Sequence, residues 1–120
     1  REAGADELAF SIIVASGLHS ARPHHRPNDR QLESGDSIVV DMGAAVGGYR
    51  SDLTRTFYMG ATPDDKFWSI YNLVWEAEQQ AIDQMKAGMT GAEVDALARE
   101  VIARGGHGEA FGHSLGHGVG

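Results

Sequence analysis

Short apolar runs separated by glycine-rich turns predict β-strands in the first half of the chain. Residues 9–15 (AFSIIVA) form one β-rich run, and residues 38–40 (IVV) form a second. Residues 49–58 alternate between apolar and polar side chains, as a half-buried strand does. The glycine pair at 47–48 is typical of a tight hairpin turn. We therefore predict one strand followed by a β-hairpin that occupies residues 37–60.

After this hairpin, the apolar residues change to helical spacing. Thr62 is the predicted N-cap and Pro63 the first helical residue, and Lys86 and Gly88 mark the end. The apolar face of this helix is expected to bury against the sheet, and it consists of Phe67, Ile70, Tyr71, Val74, Ala77, Ala81 and Met85.

A second helix is predicted after a short break. Thr90 and Glu93 have the spacing of a capping box, in which each side chain bonds the other residue's backbone N–H. The run Arg104-Gly105-Gly106 ends this helix. The predicted order of strand, loop, hairpin and two helices indicates an α+β fold.

The histidines concentrate in two irregular segments. Residues 19–30 (HSARPHHRPNDR) have no period, and they carry three of the six histidines and two of the three prolines. Residues 111–120 (FGHSLGHGVG) are glycine-rich and contain His113 and His117. Loops on a rigid scaffold often carry functional groups, although a single loop histidine is more often a solvated side chain without a role. An H-x3-H pair outside a helix is, by itself, a weak indication of a metal site.

Two aspartates interrupt the apolar hairpin. A turn centred on Gly47-Gly48 places Asp41 opposite Thr54 and Asp52 opposite Gly43, on one face of the sheet. The aspartates are then diagonal neighbours about 7–8 Å apart at the backbone, so both carboxylates can reach one metal ion or a pair of ions. Gly43 is expected to leave open space beside them.

The two carboxylates require compensation because they repel each other on an otherwise apolar strand. One interpretation is structural, with each aspartate bonded to a backbone amide, to Arg50 or to Arg55. The other is a divalent cation, and a nearby imidazole, from His113 or His117, would then favour Mn, Fe, Co or Zn over Mg or Ca. Carboxylates with imidazole are the ligands of hydrolytic sites that use metal-bound water.

Composition narrows the possible functions. The chain has 120 residues, a net charge of −7 and a pI near 5.2, and it contains no cluster of lysine and arginine, which argues against nucleic-acid binding. It contains no cysteine, which excludes thiolate chemistry and agrees with a cytoplasmic location. Its apolar runs are too short for a membrane span. One domain, residues 1–120, is the expected organisation.

Two segments together resemble a known family. The segments VASGLHSARPHHRPNDRQLESGDSIVVDMGAAVGGYRSDLTRTFYMG and FGHSLGHGVG resemble the proline-specific pita-bread metallopeptidases, the Xaa-Pro dipeptidases and Xaa-Pro aminopeptidases. The resemblance implies that Asp41 chelates one metal ion, that Asp52 bridges two, and that His117 is the imidazole ligand. It also implies that His24 contacts the substrate near the scissile bond and that His113 lines the substrate side.

The resemblance implies a reaction as well. A hydroxide that bridges two divalent metal ions would attack the carbonyl of the residue before proline, and the ions would hold the resulting oxyanion. Manganese is the expected metal, with Co, Zn or Fe as alternatives. The expected partner is a short proline-containing peptide, without nucleic acid or membrane, and the parent protein is expected to be a homodimer.

Other members of this fold provide alternatives. Methionine aminopeptidases share the aspartate pair and the GHG histidine. The sequence RSDLTRT and the H-x3-H spacing, however, fit the proline-specific branch better. Relatives that only bind peptides, and relatives that hydrolyse creatine without metal, are disfavoured by Asp41, Asp52 and His117.

Counting ligands predicts that the metal site needs further residues. Asp41, Asp52 and a neutral His117 supply two negative charges, which is too few for two divalent ions. In the family the remaining ligands are two glutamates C-terminal to the GHG motif. The chain is therefore expected to be an internal part of a longer enzyme. Alone, it is expected neither to hold two metal ions tightly nor to cleave Xaa-Pro bonds. It is also expected to expose sheet edges and apolar surface where the missing strands belong.

Overall fold

The computed structural model describes residues 2–119, which form six strands and two helices. Residues up to Pro63 form one compact unit, and Asp64–Gly118 form a second. Short 3-10 turns occur at Gly17–Ala21 and Gly108–Ala110. The elements in chain order are β1 (Glu7–Leu8), β2 (Ile13–Ser16), β3 (Ser37–Met42), β4 (Ala44–Val46), β5 (Tyr49–Arg50), β6 (Leu53–Tyr58), α1 (Asp65–Gln84) and α2 (Gly91–Arg104).

The single first strand predicted at residues 9–15 is wrong in its bounds. Glu7–Leu8 forms β1 and Ile13–Ser16 forms β2, while residues 9–12 bend between them. The bend is needed because the two strands belong to different sheets, β1 pairing with β4 and β2 with β3. An apolar run does not show where a strand changes its partner.

The predicted hairpin register is confirmed, but the hairpin is divided between two sheets. Asp41 pairs with Thr54 and Val46 with Tyr49, and the turn glycines Gly47 and Gly48 have φ of 55° and 86°. The antiparallel sheets have the orders β1-β4-β5 and β2-β3-β6. The strand predicted at residues 49–58 is therefore interrupted, at Ser51 and Asp52.

The helices were placed correctly, but the first helix begins later than predicted. Asp64, not Thr62, is its N-cap, because the Asp64 carboxylate accepts a hydrogen bond from Phe67 N at 2.7 Å. The predicted capping box of Thr90 and Glu93 is confirmed, and Gly105 is the C-cap of α2.

The buried core of the second unit lies between its two helices. Ala77 and Ala81 of α1 are buried together with Ala98, Val101 and Ile102 of α2. Small side chains at these positions let the helices approach closely. The predicted burial of the whole apolar face of α1 is wrong, because Val74 and Met85 are 51% and 56% exposed.

Apolar exposure is not confined to α1. Tyr49 at the hairpin turn is 81% exposed, and Leu18 is 91% exposed. That apolar surface is exposed where further strands of a longer enzyme belong stays a prediction. In the part of the chain that the structure describes, neither helix combines the length and the apolar character that a membrane crossing requires.

Candidate functional site

The two aspartates lie at adjacent strand ends in the first unit. Asp41 is the fifth residue of β3, and Asp52 directly precedes β6, the strand that pairs with β3. Asp41 is half-buried, and its Oδ1 atom has almost no solvent exposure. The register that pairs Asp41 with Thr54 is the one from which we predicted that the two carboxylates are neighbours. Their joint role as metal ligands stays a prediction.

The sequence predicted open space beside the aspartates at Gly43, and this prediction is wrong. A Cβ atom built there would lie 2.0 Å from the Ser51 carbonyl oxygen and 2.8 Å from the Phe10 ring. The Ser51 hydroxyl also accepts a hydrogen bond from Ala44 N at 3.0 Å. Glycine is needed because the backbone of the opposite strand passes directly against its Cα. Gly43 therefore allows the close approach of the two backbone segments that carry Asp41 and Asp52.

The two arginines considered as partners of the aspartates make contacts with other groups. Arg50 donates a hydrogen bond to Ala9 O and forms an ion pair with Glu7 Oε1 at 3.5 Å. Arg55 donates to Thr54 O at 2.8 Å. These contacts tie β5 to the start of the chain and hold Arg55 along its own strand.

His24 is exposed in the loop of residues 19–30. The two other histidines of this loop, for which no role was predicted, contact each other. The rings of His19 and His25 stack with centroids 4.4 Å apart. Burial, followed by the positive charges of His19 and Arg22, lowers the pKa of His25. No pattern in the sequence indicated this stack.

An ion pair closes the base of this loop. Arg30 donates to both carboxylate oxygens of Asp36, at 2.6 and 3.0 Å, and to Ser16 Oγ at 2.9 Å. The hydrogen bond from Arg30, and then one from the Glu33 backbone, holds the pKa of Asp36 below its usual value. The Arg30–Asp36 pair thus joins the end of β2 to the start of β3.

The residues Phe111–Gly118, named here the histidine segment, carry His113 and His117 in the second unit. His113 Nδ1 lies 2.7 Å from Ser114 O, and His117 Nδ1 lies 2.9 Å from Gly118 O. A carbonyl oxygen can only accept, so Nδ1 carries the proton in each neutral ring. The lone pair is then on Nε2, the nitrogen that a metal ion or a substrate proton would meet.

Two α2 residues that the sequence did not single out contact the histidine segment. Arg99 donates to Phe111 O and His113 O, each at 2.8 Å, and Leu115 N donates to Asp95 Oδ1 at 2.8 Å. The only sequence signal was the i, i+4 spacing of an acidic and a basic residue, which is common on solvated helix faces.

The donor set fits a divalent metal ion in its chemistry. Carboxylate oxygens from Asp41 and Asp52 with an imidazole nitrogen from His117 suit Mn, Fe, Co or Zn. Across residues 2–119, no group of three histidine and acidic side chains is arranged to hold a metal ion.

Comparison with known proteins identifies the family. The model of metallopeptidase family M24 matches residues 1–120. The chain is 48% identical over 117 residues to an Xaa-Pro dipeptidase of Pyrococcus horikoshii, covering 98% of this chain and 33% of that protein.

Solved structures give the same result. An Xaa-Pro dipeptidase from Bacillus anthracis superposes with a TM-score of 0.94 at 50% identity, covering 100% of this chain and 34% of that chain. An X-Pro aminopeptidase from Thermotoga maritima superposes with a TM-score of 0.93 at 46% identity, with the same coverages. The chain spans about a third of the length of these relatives and has the α+β pita-bread fold over that part. It belongs to metallopeptidase family M24.

Proposed function

We propose that this chain is part of the catalytic domain of a metal-dependent peptidase that cleaves Xaa-Pro bonds in short peptides. The observation that carries the proposal is the 48% identity, across nearly the whole chain, to an enzyme named Xaa-Pro dipeptidase. The register of β3 and β6 supports it, because it makes Asp41 and Asp52 neighbours at the strand ends.

In this proposal Asp41, Asp52 and His117 hold two divalent ions, manganese first among the alternatives. Bound there, the ions would supply a hydroxide nucleophile and polarise the scissile carbonyl. The chain's own residues position the ions and the peptide. Asp52 would contribute one negative charge toward the ions, as the bridging ligand that the resemblance implies, and Asp41 would contribute a second. His117 offers Nε2 because its Nδ1 proton is bound by Gly118 O.

His24 and His113 are proposed to contact the substrate. His24 is exposed on its loop, so its ring is accessible to a peptide. The proton of a neutral His113 lies on Nδ1, which leaves Nε2 able to accept a proton or a hydrogen bond from the substrate. The homodimer and the cytoplasmic location expected from the sequence stay predictions.

The proposal is tested with the full-length protein that contains this chain, stripped by a chelator and reloaded with Mn²⁺. We expect hydrolysis of an Xaa-Pro dipeptide only after reloading. Asp52→Asn should abolish activity and reduce bound metal, since the side chain keeps its shape but loses the shared charge. Asp83→Asn, on the exposed face of α1, is the matched control and should keep both.

Two further results separate the alternatives. His24→Ala should lower kcat while metal content stays unchanged, because a substrate contact is lost and the ligands are not. Preference for a tripeptide Xaa-Pro-Xaa over the dipeptide would favour the aminopeptidase alternative, which the Thermotoga relative supports. Cleavage only after an N-terminal methionine, or metal-free protein that binds peptides without cleaving them, would contradict the proposal.

A further inference from the structure

The histidine segment needs support from outside itself. Its residues lie outside helices and strands, and Gly112, Gly116 and Gly118 give its backbone more freedom than other residues would. A metal ligand or substrate contact must nevertheless be held within a fraction of an ångström of its working position. The segment therefore requires partners that fix its backbone.

Asp95 and Arg99 supply these partners at three alternating positions. Arg99 Nη1 and Nη2 donate to the carbonyl oxygens of Phe111 and His113, and Asp95 Oδ1 accepts from Leu115 N. Each of the three hydrogen bonds is 2.8 Å long. Bonds between side chain and backbone thus replace, along this segment, the ladder bonds that position residues in a sheet.

The two side chains are themselves held by several contacts. Arg99 Nε and Nη2 bond both carboxylate oxygens of Asp95, at 2.6 and 3.1 Å, one helical turn apart. The guanidinium carbon lies 4.4 Å from the centre of the Phe111 ring, which is a cation–π contact. The neighbouring residue on α2, Ala98, is completely buried in the helix core.

Apolar contacts hold the segment at two of the same residues. Phe111 and Leu115 pack against the buried core formed by Ala77, Ala81, Ala98, Val101 and Ile102. The Phe111 ring also meets the His113 ring edge to face, with centroids 5.2 Å apart. Packing alone would leave the peptide groups free to rotate, and the bonds to Asp95 and Arg99 remove that freedom.

We propose that Asp95 and Arg99 are positioning residues that fix the backbone of the histidine segment, so that His113 and His117 are presented in one orientation. The inference rests on the proposed function for what the histidines do. Its structural part rests on the hydrogen bonds alone. Arginine is required because a lysine amine cannot bond an aspartate and two separate carbonyl oxygens through one planar fork.

The test uses the full-length protein and substitutions on α2. Arg99→Gln removes the charge and most of the donors, and Arg99→Lys keeps the charge without the fork. Asp95→Asn leaves an oxygen for Leu115 N, whereas Asp95→Ala removes it. Arg104→Gln, an exposed arginine in the last turn of the same helix, is the matched control.

The first measurement is amide hydrogen exchange resolved to single residues. Asp95→Ala should accelerate exchange at Leu115, and Asp95→Asn should do so less, because the amide oxygen still accepts. Arg99→Gln should accelerate exchange across residues 112–118 while amides in the middle of α2 remain protected. Exchange in Arg99→Gln that is no faster than in Arg104→Gln would overturn the proposal.

The second measurement is Mn²⁺ affinity by calorimetry. Residues that orient a metal ligand typically contribute about 10- to 100-fold in metal affinity, and we expect a loss of that size in Arg99→Gln, with Arg99→Lys between it and the wild type. In a His117→Ala background the same substitution should add little, because the ligand it positions is gone. A full additional loss there would show that Arg99 does not act through His117, which contradicts the proposal.

These measurements also separate the inference from the function on which it rests. A wild-type protein that binds Mn²⁺ but cleaves no Xaa-Pro bond contradicts the proposed function, while the exchange and affinity results still support or overturn the positioning role. An active enzyme whose exchange and affinity are unchanged by Arg99→Gln contradicts the positioning role alone.

Discussion

The aspartates and the histidines of this chain are positioned by two different means. Asp41 belongs to a strand whose register is fixed by backbone hydrogen bonds, and Asp52 is the residue that precedes its partner strand. The histidine segment has no such ladder, and its backbone is bound by Asp95 and Arg99.

The difference determines which substitutions disturb each part. A residue set by the backbone ladder is sensitive to anything that moves one strand against the other, whereas surface side chains nearby matter little. A residue set by side-chain bonds depends on two or three particular atoms. The aspartates should therefore be disturbed by changes at a close-packed glycine, and the histidines by changes on α2.

The largest effect is expected for Gly43→Ala. Its Cβ atom would lie 2.0 Å from Ser51 O, a backbone atom that can move only if the two strands separate. We expect a loss of about 3 kcal/mol or more in the free energy of unfolding, measured by denaturant titration. Gly91→Ala, where a Cβ meets nothing within 4 Å, is the control. Equal stability of the two variants would show that the strands are not held this closely.

The next effect compares two turn glycines with the same backbone angle. Gly17 and Gly47 have φ of 53° and 55°, so alanine at either position costs about 1–2 kcal/mol. Only at Gly17 would the Cβ atom meet other groups, Asp36 Oδ1 at 2.7 Å and Arg30 Nη2 at 2.9 Å. Gly17→Ala should therefore lower the melting temperature more than Gly47→Ala. The reverse order would show that Asp36 and Arg30 move aside without a measurable loss of stability, which contradicts this prediction.

A smaller effect distinguishes two candidate caps of α1. Asp64→Ala should destabilise the protein by about 1 kcal/mol, because the bond to Phe67 N is lost. Thr62→Ala should change the stability by less than about 0.5 kcal/mol, as is usual for an exposed residue outside such a contact. Urea unfolding of both variants decides between them. A larger loss of stability for Thr62→Ala would instead support Thr62 as the N-cap, as predicted from the sequence.

The smallest effect is on the pH dependence of stability, because the Asp95–Arg99 pair is partly exposed and screened by solvent. The hydrogen bond from Arg99, and then the bond from Leu115 N, lowers the pKa of Asp95 from its ordinary value of 3.8. The resulting stabilisation is present above pH 3.8 and is lost as the pH falls through the lower pKa of the folded state. The melting temperatures of wild type and Asp95→Asn should therefore converge below pH 3.8. A constant difference down to pH 2 would contradict this assignment.

The sequence predicted what depends on backbone periodicity. The register that pairs Asp41 with Thr54, the turn at Gly47-Gly48 and the capping box of α2 were all predicted correctly, since each depends on local spacing. The division of the hairpin was not predicted, because the contact between Gly43 and the Ser51 carbonyl does not appear in any periodic pattern.

The sequence did not predict what depends on particular side-chain bonds. Asp95 and Arg99 have the spacing of an ordinary surface ion pair, and their partners lie 12 to 20 residues further along the chain. The stack of His19 on His25 likewise depends on the path of an irregular loop. Three-dimensional contacts of this kind are not encoded in spacing.

The most direct test of the account is an anomalous difference map from crystals of the full-length protein grown with Mn²⁺. The account predicts two manganese peaks, both coordinated by Asp52, with Asp41 bound to one and Nε2 of His117 bound to one. Peaks that do not touch Asp41 and Asp52, or a His117 that binds through Nδ1, would contradict it.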